Sequence, residues 1–128
     1  VRSERSIIQN RLEWPFESFW FDVQHNAVWW PEWGAKPSNV IQQRERLKEA
    51  FALAPRLIPL FGHRYLPEQP SERGNPVFSV HQTDVICYGA NLQDWIERER
   101  GDYDSMPWPP TKEIPFWSEA LRKNNAVP

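Results

Sequence analysis

NPVFSVHQTDVICYG, residues 75 to 89, decides the class of fold. Two runs rich in valine, isoleucine and aromatics flank the polar residues Gln82 and Thr83, the pattern of two strands joined by a short turn. In the first run Val77, Ser79 and His81 share one side and Phe78 and Val80 the other, so the Phe/Val side is assigned to the core and His81 to solvent. Upstream, LIPLF at 57–61 reads as a further core strand, Gly62 as the bend after it, and HRYLPEQPSERG as a shaped connection in which Tyr65 and Leu66 return the chain to the core.

Around these strands the periodicity predicts helices. After Pro37, Ser38 is placed to cap a helix running to about Ala54, with Val40, Ile41, Leu47, Ala50, Phe51 and Ala54 as its apolar stripe. Asn91 caps LQDWIERE, in which Leu92, Trp95 and Ile96 fall at helical spacing. SERSIIQNRLE at 3–13 reads as a short helix stopped by Pro15, SFWFDV at 18–23 as a strand with Phe19, Phe21 and Val23 on one face, and Ala27–Trp30 as a second short strand. PEWGAKP at 31–37 is a proline-braced loop carrying Trp33. Residues 101–115 form another loop around Trp108, and PFWSEALRKN closes the chain as a helix. The expectation is one α+β domain over 1–128, with a twisted, mainly antiparallel sheet, flanking helices covering one face, and a Pro/Trp-rich tail from 101 onward.

Composition narrows the function. A chain of 128 residues with eight tryptophans, 40% hydrophobic and 25% charged residues has the means to fold on its own core. Fifteen basic residues scattered among seventeen acidic ones leave a net charge of −2 and no basic face for phosphate, so no nucleic-acid partner is expected. The single cysteine, Cys87, has no internal disulfide partner, which suits a reducing, cytoplasmic setting. The apolar runs are too short to span a membrane, and VRSERSII lacks the hydrophobic region of a signal peptide.

Residue types able to support chemistry gather around Gly62. His63, Arg64 and Tyr65, with His81, Asp84 and Cys87 nearby in sequence, supply a base, a charge stabiliser and a nucleophile by residue type. Cys87 lies within VICY, where an apolar, unreactive thiol is expected, and His63 directly after Gly62 has a bland role open to it as a turn residue. His25, His63 and His81 show no metal-ligand spacing, and the five glycines form no phosphate-binding pattern, so no metal or cofactor is expected. A small hydrolase or ligand-binding enzyme using His63, Arg64 and Asp84 is one alternative, and an accessory docking domain of a larger assembly is another.

FDVQHNAVWWPEWGAKP, LIPLFGHRYLP and NPVFSVHQTDVICYGANLQDWIERE, taken in that order and spacing, resemble the bacterial SMI1/KNR4 proteins, the SUKH superfamily, in one of its divergent branches, over roughly residues 16 to 100. The most specific pieces are the W-x-x-W-G loop at Trp30, Trp33 and Gly34, the strand leading into Gly62–Tyr65, and the run from Asp84 to Gly89. The resemblance implies an α+β fold and a protein-binding rather than catalytic role. Many bacterial members are immunity proteins that neutralise a polymorphic toxin, and others are adaptors or scaffolds. On this reading Trp30, Trp33, His63, Arg64, Tyr65 and Gln82 are the candidate contacts to a protein partner, possibly a cognate toxin.

Overall fold

The computed structural model describes residues 4–101 and 111–125. The hairpin at 75–89 forms as its sequence predicts: β3 (Val77–His81) and β4 (Asp84–Gly89) pair antiparallel, with Val80 opposite Val85 and His81 opposite Asp84. Before it come β1 (Leu57–Phe61) and β2 (Arg64–Pro67), so the stretch after Gly62, expected as a connection, is itself a strand. The four strands lie in the order β1-β2-β3-β4, all antiparallel. Tyr65 pairs with Phe78, and these two, with Leu57, Val80 and Val85, form the inner face of the sheet.

The N-terminal region departs most from expectation. Residues 4–25 form one helix, α1 (Glu4–His25), with Pro15 inside it. The run at 18–23 is therefore helical rather than a strand, and Ala27–Trp30 is irregular rather than a second strand. Phe16, Phe19, Trp20 and Val23 fit a helical stripe as well as an aromatic strand, and burial decides between them: Trp20 is 8% exposed and Phe21 45%, the reverse of the predicted alternation. A proline in a helix supplies no N–H to the carbonyl four residues back and crowds that carbonyl. Here the orphaned oxygen belongs to Arg11, and the Tyr65 hydroxyl donates to it at 2.7 Å. A strand residue 54 positions downstream thus supplies the donor that Pro15 lacks.

A single 3₁₀ turn at Pro31–Trp33 leads to α2 (Val40–Leu53). Its cap is Asn39, not Ser38: the Asn39 side chain accepts from the N–H groups of Ile41 and Gln42. Leu47 is fully buried, whereas Val40 and Ile41, in the first turn, are exposed. After the sheet, α3 (Leu92–Glu99) is capped by Asn91 as expected, and Asp94 reaches back to the Ala90 N–H, satisfying a second amide at that end. The last helix, α4 (Trp117–Asn125), follows Phe116. The loop expected around Trp108 falls on residues 102–110, outside the described residues.

Helices lie on both faces of the sheet, where one covered face was expected. α1, α2 and α4 supply Phe19, Trp20, Val23, Leu47 and Trp117 to the inner-face core. α3 lies on the outer face, because its Glu99 pairs with Arg64, which strand alternation directs away from Tyr65. Gly89 permits this approach: a Cβ there would lie 2.7 Å from the backbone nitrogen of Trp95.

Replacing Tyr65 by Phe leaves the Arg11 carbonyl without a donor, and chemical denaturation is expected to show a loss of about 1–3 kcal/mol. Pro15→Ala restores an N–H at position 15, so the double variant is expected to recover much of that loss; equal losses in Tyr65→Phe and in the double variant would sink the account. Burial also pushes the Tyr65 hydroxyl up to about 12, from 10 when free. The unfolded chain loses this proton first, so the contribution is intact below pH 10 and is lost as pH rises from 10 through 12. Thermal melts across that window should show a steeper decline for the wild type than for Tyr65→Phe.

Candidate partner-binding surface

Two tight turns stand at the same end of the sheet. Gly62 and His63 join β1 to β2, and Gln82 and Thr83 join β3 to β4. Gly62 has φ +56° and Gln82 φ +57°, so each turn uses a left-handed residue; glycine takes it freely, whereas Gln82 does so with strain. The Val80 N–H donates to the His63 carbonyl at 3.0 Å, tying the turns together.

α1 crosses this end and grips it through polar contacts. The Arg11 guanidinium donates to the Gly62 carbonyl at 2.7 Å and the Trp14 indole N–H to the Val80 carbonyl at 2.9 Å. Farther along, the buried Asp22 carboxylate accepts from the Thr83 N–H at 2.8 Å and from its hydroxyl at 2.6 Å, with Asn26 donating to its other oxygen. A buried carboxylate survives because its oxygens are occupied.

These contacts shape an exposed surface. The His63 ring lies flat on Trp14, with centroids 4.9 Å apart and planes 19° apart, and His81 stands 5.8 Å from His63. Ile7, Arg11, Trp14 and His63 border a cleft of about 260 Å³ there. Phe61, just before the turn, is 69% exposed. Packing against Trp14 holds the His63 imidazole below its usual range, and the charges of His81, Arg64 and Arg11 add to the effect.

The sequence-predicted residues separate into three groups. His63 is at the surface and Gln82, in the neighbouring turn, is half-buried. Arg64 points to the outer face, where it bonds Glu99 at 3.1 Å and lies 4.3 Å over the Tyr88 ring. Trp30, Trp33 and Tyr65, expected as exposed contacts, are core residues: Trp30 and Trp33 stack at 5.0 Å, and Tyr65 is fully buried under α1. Their apolar bulk is worth more to the core than to a surface.

The groups proposed for catalysis engage separate partners. His63 is held on Trp14, Arg64 on Glu99, and Asp84 sits opposite His81 at the hairpin end. Cys87 is half-buried, and desolvation pushes its thiol up, away from the reactive thiolate. Among the described residues no group of three or more His, Cys, Asp or Glu side chains is placed to hold a metal ion, and no helix is long and apolar enough to cross a membrane. Arg11 and Trp14 carry no signal of their roles in the sequence, and Asp22 reads there as an ordinary strand residue, because their partners lie 51 to 66 residues away.

No protein-family model, curated protein or solved structure matches the chain.

The depressed His63 imidazole has a measurable consequence. The unfolded chain takes up this proton near pH 6.5, the native fold only at lower pH, so stability is fully present above 6.5 and falls as pH drops below it. His63→Phe keeps a ring on Trp14 and is expected to flatten that part of the stability profile, as read by melts between pH 7 and pH 5; an unchanged slope would count against the stacked geometry.

Proposed function

We propose that this chain is a non-enzymatic protein-binding module of the SUKH type, working in the cytoplasm as an immunity protein that neutralises a protein toxin by occlusion. The observation that carries the binding surface is the rigid Trp14–His63 stack, with Phe61, two residues before His63 in the chain, exposed at the end of β1. Aromatic side chains fixed before contact lose little entropy on binding, and such residues recur as interface anchors. Arg11, held at the Gly62 carbonyl, adds a cation within the same surface, and Ile7 extends its apolar part.

Support for the partner class comes from the resemblance carried by the W-x-x-W-G and G-H-R-Y stretches. The mixed surface charge, −2 overall, suits a protein rather than a polyanion. Occlusion needs no catalytic group: the partner's own site is closed by an interface of ordinary size, about 1,600 Å² in total. A lone, half-buried Cys87 suits a reducing setting.

The test is co-expression with the product of the adjacent gene, which is expected to arrest growth when expressed alone. The wild-type chain is expected to restore growth and to form a stable complex with that product. Phe61→Asp is expected to weaken the complex about 30-fold, or ~2 kcal/mol, while Ile41→Asp, on α2, leaves it unchanged. Neither rescue nor complex formation would overturn the immunity reading, and equal affinity of the two variants would remove the sheet-tip surface from it.

A further inference from the structure

We propose that Pro59 closes the β1 edge of the sheet against strand pairing with a second copy of this chain. β1 and β4 are the outer strands, and α3 and α4 both pack against β4. β1 packs on β2 and beneath α1, and no described strand pairs with its other side. An edge of this kind is a template for any chain that can add a strand to it.

The hydrogen-bond register fixes which groups face that edge. The Glu68 N–H donates to the Arg56 carbonyl at 2.7 Å, and Leu57, Ile58 and Pro59 stand opposite Pro67, Leu66 and Tyr65. Bonded and unbonded rows alternate in an antiparallel ladder, so Ile58 bonds across to β2, whereas Leu57 and Pro59 turn their backbone groups outward. Leu57 offers the edge an N–H and a carbonyl, and Pro59 a carbonyl alone. Proline here costs the sheet no bond, yet it denies an incoming strand a donor. Directly beyond it the register slips between Pro59 and Phe61, a bulge that bends the edge strand further from the flat template that pairing needs.

The strand being kept away is a second β1. Leu57–Phe61 holds no charged or polar side chain, and Ile58 and Phe61 are 42% and 69% exposed. Uncharged apolar strands left on an edge are the ones that associate, and a proline at an outward position interrupts them. Two identical strands pair antiparallel about a two-fold axis, so each copy brings the edge the other needs. With the axis at Ile58, Leu57 of each copy faces Pro59 of the other. Both Leu57 N–H groups then find a Pro59 carbonyl, but both Leu57 carbonyls meet a ring nitrogen that carries no hydrogen. Half of that ladder is missing, and the ring fills the place of the absent donor. Valine at position 59 restores it. This role for Pro59 does not depend on the protein-binding reading.

The experiment is sedimentation equilibrium of the full chain and its variants. The wild type is expected to keep the mass of one chain, 15.2 kDa, between about 10 µM and about 1 mM, whereas Pro59→Val approaches twice that mass over the same range. Adding Ile58→Lys to Pro59→Val sets two lysines opposite each other at the axis and is expected to weaken the association about tenfold. Amide hydrogen exchange on the wild type keeps the account readable if Pro59→Val fails to fold: the Ile58 amide is expected to be protected and the Leu57 amide to exchange freely. In the Pro59→Val dimer the Leu57 amide is expected to become protected as well. A protected Leu57 amide in the wild type, a folded Pro59→Val chain that stays monomeric, or a Pro59→Val dimer indifferent to Ile58→Lys would overturn the proposal.

Discussion

The carbonyl of Arg11 is the point on which the arrangement depends. Pro15 removes its helical donor, and the Tyr65 hydroxyl replaces that donor from the sheet. A helix interrupted in this way would carry an unsatisfied polar group against an apolar layer, at a cost comparable to a lost hydrogen bond. α1 can therefore run unbroken from Glu4 to His25 only when docked on β2. Secondary and tertiary structure are coupled through one oxygen atom.

From that coupling follows the polar grip on the sheet end. Arg11, Trp14 and Asp22 reach across from α1 to Gly62, Val80 and Thr83, each engaging backbone in or beside a turn. Turns are ordinarily the looser parts of a sheet. Here they are held at several places by a helix whose other side is packed on Phe51, Trp30 and Trp117 through Phe19. The His63–Trp14 stack inherits that rigidity, which is what a preorganised recognition surface requires. The surface ion pairs, such as Arg122 with Glu113 and Glu119, contribute far less, being solvent-exposed.

The aromatic residues divide by role rather than by type. Trp30, Phe51, Phe116 and Trp117 surround Phe19 in a mesh of edge-on and tilted contacts and Trp33 stacks on Trp30, so the W-x-x-W-G stretch builds the core beneath α2 and α4. Trp14 belongs to the sheet tip instead. A dense core of large rings packs well only where their polar edges find partners, as the Trp117 indole N–H does at the Pro55 carbonyl.

The sequence by itself determined β1, β3 and β4, most of the helices and the outward position of His81, because alternation, helical spacing and caps such as Asn91 act over a few residues, whereas it read β2 as a connection and residues 18–23 as a strand. It also located His63 and Gln82, since a glycine after an apolar run and a polar pair between two others mark turns. Only the tertiary structure decided the state of residues 14–25 and the burial of Trp30, Trp33 and Tyr65. In each case the deciding partner lies far away in the chain: Pro15 breaks a helix unless a distant donor serves Arg11, and an aromatic run adopts the period of whatever packs against it. Local spacing encodes local geometry, whereas a hydrogen bond spanning 54 residues exists only once the chain has folded.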